Sequence, residues 1–416
     1  MATIRQFKAI RPTADKAREI AALPYDVMDE AEARQTAEGN PLSFLHVDRA
    51  EVDFPLGTDP YSAEVYEKAA ENLESMVKNG LLIQDGSPCL YLYRLTMDGH
   101  SQTGLVACVP IDEYINGVIK RHELTRAEKE EDRIKHVDAC DANTGPIFLS
   151  YKDNGSIKDI TESWISSHEP AYDFRCWDKV SHTLWVIDDK DTIENLVELF
   201  KEVPCLYIAD GHHRAASAVK VGLKRREENP GYNGSEEFNY FLSVIFPQSE
   251  LKIMEYNRLV KDLNGLSENE FIEKVTEKFF IMPYNFGKSF KPIMPHQFGM
   301  YFGGKWYILT ADPENIPDDT VGALDVSILQ NNLLSPILGI GDPRTDSRID
   351  FCGGVRGIEE LERRVDLGEM KIAFSMFPTS MEELTEIADK GLIMPPKSTW
   401  FEPKLRSGLL IHSLKG

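Results

Sequence analysis

The chain has 416 residues and a formal net charge of −22, with 46 Lys and Arg against 68 Asp and Glu. This length allows two or three domains, and the acidic balance argues against a basic stripe for nucleic acid. No run of about 18 apolar residues occurs, so no membrane span is expected. The six cysteines (89, 108, 140, 176, 205 and 352) are scattered without CxxC spacing, and the opening MATIRQFKAIRP has no apolar signal core. Together these predict a reduced, cytoplasmic setting.

In chain order, residues 13–23 predict a helix with Thr13 as its cap, and residues 29–38 a second helix stopped by Gly39. A long amphipathic helix is expected over 59–79, ending at Gly80. Residues 90–96 and 104–109 alternate as strands around Asp98-Gly99, a hairpin signal. Thr125-Arg126-Ala127-Glu128 reads as a capping box opening a helix over 126–142. The run Glu128 to Arg133 on that helix reads as a solvated charged face. Strands are expected at 147–151, 182–187, 206–209 and 240–246, alternating with helices at 157–167, 191–201 and 215–228, which implies an α/β core. A domain boundary is placed near 265, where composition relaxes and a helix begins at Ser267. Beyond it come a hairpin around Gly303-Gly304, a helix over 321–334, a strand at 371–377 and a helix over 381–390. The tail is residues 394–412.

The most informative stretch is LYIADGHHRAASAVK, residues 206–220. A buried strand ends at Asp210-Gly211 and a helix follows, so Asp210, Gly211, His212, His213 and Arg214 sit at a strand–helix junction. Unpaired N–H groups and the positive end of the helix dipole favour an anion such as phosphate there. Gly211 permits close backbone approach, Arg214 offers a fork for phosphate oxygens, and the histidines can move protons or hold a metal. The plain alternative is that Asp210 caps the helix and Arg214 pairs with Asp210. Further candidates are His122 and Glu123 in the loop before the charged helix, Arg356 in the Gly353–Gly357 loop, and Lys397, Ser398 and Thr399 in the tail. That glycine loop matches neither GxxxxGK[ST] nor GxGxxG. A metal set drawn from His122, His182, His212 and His213 with Glu123 or Asp210 lacks HExxH, so no metal site made by the protein alone is expected. Magnesium held mainly by a nucleotide is the better expectation.

Several segments carry a resemblance over nearly the whole chain: PYDV (24–27), HELTRAEKEEDRIKH (122–136), TGPIF (144–148), IADGHHRAASA (208–218), NRLVKDLNG (257–265) and MPPKSTWFEPKLRSGL (394–409). They resemble a bacterial family known only as domain-of-unknown-function 1015. Residues 106–225 are also similar to the ParB/sulfiredoxin-like nucleotide-binding fold, above all its free-serine kinase branch, through IKRHE (119–123) and DGHHR (210–214). Against that pattern, residues 124–209 form a long insertion, and flanking regions lie on both sides.

The resemblance implies a mixed α/β, α+β chain in three parts: an N-terminal flanking region (1–105), a nucleotide-binding core (106–265) and a C-terminal α/β domain (266–416). It implies a phosphotransferase using Mg²⁺ with ATP or ADP on a small hydroxyl substrate, first of all L-serine/O-phosphoserine. Glu123 would be the base, the 210–214 turn the phosphate cradle, and His212 or His213 a phosphate contact or proton carrier. Alternatives are a nucleotide-switched binding protein and a metal-dependent phosphatase of phosphoserine or a related ester. No nucleic-acid or membrane partner is expected, and the oligomeric state stays open.

Overall fold

The computed structural model describes residues 1–287 and 289–415. It separates into two compact units, Met1–Leu251 with Pro403–Gly416, and Lys252–Glu402. The fold is mixed α/β, with an eight-stranded sheet in the first unit and a six-stranded sheet in the second.

The first unit's sheet runs, edge to edge, Ile119–Lys120, Leu206–Asp210, Ile147–Tyr151, Tyr240–Pro247, His100–Pro110, Leu90–Met97, Ser181–Ile187 and Tyr172–Arg175. Two of its pairings are parallel, Leu206–Asp210 with Ile119–Lys120 and Tyr240–Pro247 with Ile147–Tyr151; the rest are antiparallel. The central strands are apolar at nearly every position because both faces are covered. Alternate residues Ile147, Leu149 and Tyr151, with Leu206 and Ile208, join one core cluster under three helices. These are Gly155–Ser167, Lys190–Phe200 and His212–Glu228, contributing among others Ile157, Trp164, Leu196, Phe200, Ala215 and Val219. The intervening Phe148 packs on Phe246, ring centroids 4.6 Å apart.

The expected hairpin forms, with Asp98 at φ 50° and Gly99 at φ 80°, as a tight turn with two left-handed residues requires. The helix expected over 13–23 shrinks to Ala17–Ile20, while Glu30–Ala37 is capped by Asp29 in a reciprocal box with Glu32. Two parts of the predicted division differ from what is observed. Residues 1–105 are not a flank, since Leu90–Met97 and His100–Pro110 are interior strands of the sheet. The boundary expected at 265 does not divide the chain either. Tyr256–Val260 is an interior strand of the second sheet, paired with Ile349–Gly353 and Ile372–Ser375, so the break falls at residue 251. The last segment rejoins the first unit through backbone pairs of Ser407 with Ala22, Ile411 with Ile10, and His412–Ser413 with Ala142–Asn143.

The second unit's sheet is antiparallel throughout, in the order Phe279–Tyr284, Lys305–Ala311, Gln297–Phe302, Ile372–Ser375, Tyr256–Val260, Ile349–Gly353. Together with its helices this makes it a unit of mixed α and β structure, as expected of the C-terminal part. Ser267 caps Glu268–Thr276 in a reciprocal box with Glu270. Among the described residues, no helix is long and apolar enough to cross a membrane.

Candidate functional site at the Asp210–Arg214 turn

Leu206–Asp210 ends in Gly211, which stands at φ 91° and starts the 17-residue helix His212–Glu228. An L side chain is strained at that φ, and a Cβ there would meet the Arg214 guanidinium at 3.1 Å, so glycine fits both the turn and its neighbour. The first helical turn contains no acidic side chain, although the Asp210 carboxylate just before it accepts the Gly211 N–H and is itself balanced by Lys404 and Arg214. A register shift between Ile208 and Asp210 against Ile147–Tyr151 inserts one extra residue and re-aims Asp210.

The parallel pairing explains which loop meets this turn. Leu206 lies opposite Ile119 and Tyr207 opposite Lys120, so both strands leave the sheet at the same end. Residues 121–126 therefore run beside 208–213, although residues 124–209 separate Glu123 from Asp210 in sequence. His122 and His212 meet edge to face, with ring centroids 4.5 Å apart. Glu123 Oε2 stands 3.9 Å from His212 Nδ1, with the Glu123 side chain 38% exposed and His212 buried.

Electrostatics divide the group. Burial pushes the His122 imidazole down to about 4, with Asp210 and a hydrogen bond to the Ile208 backbone opposing it. His212 is held well below its ordinary value by burial, then by His122, His213 and Arg121. Both rings are therefore neutral at pH 7. Burial pushes the Asp210 carboxyl up, but Lys404 and Arg214 outweigh it and hold the group below its usual range. Each of those cations lies 3.5 Å from Asp210 Oδ2.

Arg214 is turned back into the protein. It donates to the Pro146 carbonyl as well as facing Asp210, and its side chain is 12% exposed. Beside it lies a cavity of about 30 Å³ lined by Tyr25, Asp48, Arg133, His136, Thr144 and Arg214, among others, room for one water among polar groups. The plain alternative for Arg214, a pair with Asp210, is thus present in the geometry. His213 is likewise engaged: its Nε2 accepts the backbone N–H of Arg126. Burial lowers its basicity, as an acceptor nitrogen requires.

That bond explains why the expected Thr125 capping box does not form. The helix Ala127–Cys140 starts one residue later, its terminal N–H is taken by His213, and Thr125 Oγ1 donates instead to Glu130 at 2.7 Å. Nor is the charged run simply a solvated face. Glu128 and Glu131 are exposed, but Glu130, Asp132 and Arg133 are buried. Arg133 pairs with Asp132 and lies 4.0 Å from the centre of the Tyr25 ring, while Tyr66 donates to Asp132.

The structure brings His122, Glu123, Asp210, Gly211, His212, His213 and Arg214 together in the first unit. It does not bring Arg356, Lys397, Ser398 or Thr399 into that unit; they belong to Lys252–Glu402. There Lys397 takes a positive φ of 60° with its carbonyl bonded by Arg258, and Ser398 Oγ donates to the Pro395 carbonyl at 2.6 Å. His182 is also apart, its Nδ1 2.7 Å from the Tyr93 hydroxyl and its Nε2 facing Arg406. Sequence reasoning missed Lys404, which reaches Asp210 from the returning tail. Its only sequence signal is the PKLRSG run, residues 403–408.

His122, Glu123 and His212 each offer a ligand atom within 4.8 Å of the others, although no protein-only metal set was expected from the spacing. This donor set is rich in nitrogen, whereas Mg²⁺ takes oxygen. It does not fit a resident magnesium ion. A magnesium carried by a nucleotide needs few protein ligands, and Glu123 is the accessible carboxylate. A larger cavity, about 780 Å³ and lined by Arg5, Phe7, Leu73, Ala139 and His412 among others, includes none of these residues.

No curated protein matches the chain. Among solved structures it resembles a free serine kinase mutant in complex with AMP, at 15% identity and a TM-score of 0.36, covering 73% of this chain and 92% of that one. It also resembles a conserved hypothetical protein from Pyrococcus furiosus, at 15% identity and a TM-score of 0.34, covering 73% and 94%. SbnI with a C-terminal truncation, from Staphylococcus aureus, is similar at 11% identity and a TM-score of 0.40, covering 74% and 89%. Residues 4–327 match the family described as protein of unknown function (DUF1015), and the chain belongs to that family.

Proposed function

We propose that the protein is a nucleotide-dependent phosphotransferase acting on a small hydroxyl compound, with free L-serine the first substrate to try. One observation carries the reading. A half-exposed carboxylate, Glu123, faces the start of a long helix whose first turn has no acidic side chain. Phosphoryl transfer is mostly positioning and charge stabilisation, and those two parts supply a proton acceptor beside an anion seat. The free N–H groups of the first turn would hold phosphate oxygens, while Arg214, clamped on Asp210 and Pro146, would keep the turn in shape. Glu123 would take the hydroxyl proton. Neutral His212 beside it adds no positive charge that would depress the carboxylate's basicity. Magnesium would arrive with ATP or ADP and neutralise charge on the phosphates.

The test is incubation of the full chain with ATP or ADP, Mg²⁺ and a panel of hydroxyl amino acids, read by phosphorus NMR. A new phosphomonoester signal that needs both nucleotide and amino acid is the expected result. Nucleotide binding without any phosphoester product would instead mark a nucleotide-switched binding protein. Phosphate release from phosphoserine without nucleotide, abolished by chelator, would mark a phosphatase.

A further inference from the structure

We infer that His122, Glu123 and His212 form a binding site for a divalent transition metal of the zinc and cobalt kind, and that its occupation is incompatible with Glu123 acting as a base.

Three features point to this. The first is the donor set itself: two imidazoles and a carboxylate with ligand atoms within 4.8 Å of one another. Ligands each about 2.1 Å from one tetrahedral ion stand about 3.4 Å apart. The Glu123–His212 pair at 3.9 Å lies about 0.5 Å beyond that spacing. Binding therefore needs the group to close by up to about 1.4 Å, and Glu123 is a half-exposed side chain in a loop.

The second is the state of His212. Its Nδ1 is the nitrogen 3.9 Å from Glu123, beyond hydrogen-bond range, and in a neutral ring it can offer its lone pair to an ion. Its Nε2 would then carry the proton, buried without a hydrogen-bond partner among the described residues, in a ring only 6% exposed. Other histidines of this unit are committed: half-buried His213 to the Arg126 N–H, buried His136 to the Val47 carbonyl, and the more distant His182 to Tyr93.

The third is the support of His122. Its ring hydrogen-bonds to the Ile208 backbone, the arrangement that fixes tautomer and orientation in imidazole ligands of metals. Two imidazoles and one carboxylate leave coordination positions for water or a ligand oxygen, and imidazole selects zinc, cobalt or iron over magnesium.

A carboxylate bound to such an ion is a much weaker proton acceptor. The occupied site would therefore shut off the transfer chemistry proposed above. Only this second part rests on the phosphotransferase reading; the binding site stands without it.

The test is titration of the full, reduced chain with Co²⁺ and Zn²⁺ in the presence of excess Mg²⁺. The expected result is one tightly held Co²⁺ with visible ligand-field bands, no thiolate charge-transfer band that would implicate the cysteines, and stoichiometric displacement by Zn²⁺. Glu123→Gln, a half-exposed position, should weaken binding by roughly 10–100-fold without unfolding. His212→Asn should do the same, with circular dichroism confirming the fold. Absence of one-to-one binding in folded protein, or binding that neither substitution weakens, overturns the site. If phosphoryl transfer is found, one equivalent of Zn²⁺ should suppress it. Binding with undiminished transfer overturns the exclusion while leaving the site, and absence of transfer under all conditions counts against the function alone.

Discussion

Two glycine-bearing turns in this chain look alike as sequence and differ as sites. Asp210-Gly211-His212-His213-Arg214 and Gly353-Gly354-Val355-Arg356-Gly357 each follow an apolar strand, precede a helix and carry an arginine. In the first, glycine takes a left-handed conformation and opens a helix with no acidic group in its first turn. In the second, the glycines make room for the chain itself. A Cβ on Gly353 would meet the Trp400 indole at 2.7 Å, and one on Gly354 the Glu255 carboxyl carbon at 2.6 Å. The helix that follows, Glu359–Asp366, has Glu359, Glu360 and Glu362 in its first turn, so its positive end is already answered by negative charge. What distinguishes the two turns is the charge within the first turn of the helix that follows, not the count of glycines.

The comparison breaks most directly at Glu123. If the first turn is the working site, Glu123→Gln should lower turnover by about 10²–10⁴ with nucleotide binding kept. Steady-state assay beside calorimetry decides this, and near-normal turnover would reduce Glu123 to a loop acid. Arg214→Ala should destabilise the protein by about 2–4 kcal/mol, because it strips one of two cations from a largely buried carboxylate. Urea unfolding measures it. The matching change in the other turn, exposed Arg356→Ala, should stay within about 0.5 kcal/mol.

Acid sharpens the contrast between the units that carry these turns. The fully buried histidines among the described residues, His182 for one, lie in the first unit. Burial, then Arg406, holds His182 well below its ordinary 6.5. The unfolded chain therefore binds the extra proton, and the first unit loses up to about 1.4 kcal/mol per pH unit for each buried histidine so depressed (His122, His136, His182 and His212) as pH falls below 6.5. In the second unit, burial pushes Asp325 up to about 6 against the favourable pull of His296. Its folded form binds the extra proton between that value and the ordinary 3.8, so the second unit gains stability as pH falls through the same window. Peptide-level hydrogen exchange at pH 7 and pH 5, corrected for intrinsic rates, should show the first unit opening more and the second less. A shift of both in one direction would refute the assignment. Gly211→Ala should cost about 1–2 kcal/mol of backbone strain, between the Arg214 and Arg356 changes, again read by urea unfolding.

What could be read in advance was whatever depends on neighbours in sequence. The strand, the glycine break and the helix of residues 206–228 are local consequences of apolar pattern and propensity, and so are the Asp98-Gly99 hairpin and the helix start at Ser267. What could not be read was competition between distant groups. Thr125 has the spacing of a capping box, yet His213 arrives from the end of the neighbouring parallel strand and takes the N–H of Arg126. Asp132 and Arg133 look solvated until Tyr25 and Tyr66 cover them. Lys404 cannot be connected with Asp210 by any spacing rule, because the pairing depends on the chain leaving for a second unit and returning.

That return has a consequence for how the protein is made. Lys252–Glu402 emerges from the ribosome before Pro403 does, so the first unit must wait for a whole intervening body before Ser407, Ile411 and Lys404 can dock. Until then Asp210 lacks the Lys404 cation that shares its charge with Arg214, and the edges at Ile10 and Ala142–Asn143 lack their partners from the tail. Nascent chains halted before Pro403 should therefore be open to proteases and holding chaperones, with the surroundings of the Asp210–Arg214 turn completed last. Contacts so far apart in sequence form slowly, and the site thus matures only in chains whose synthesis has run past the second unit.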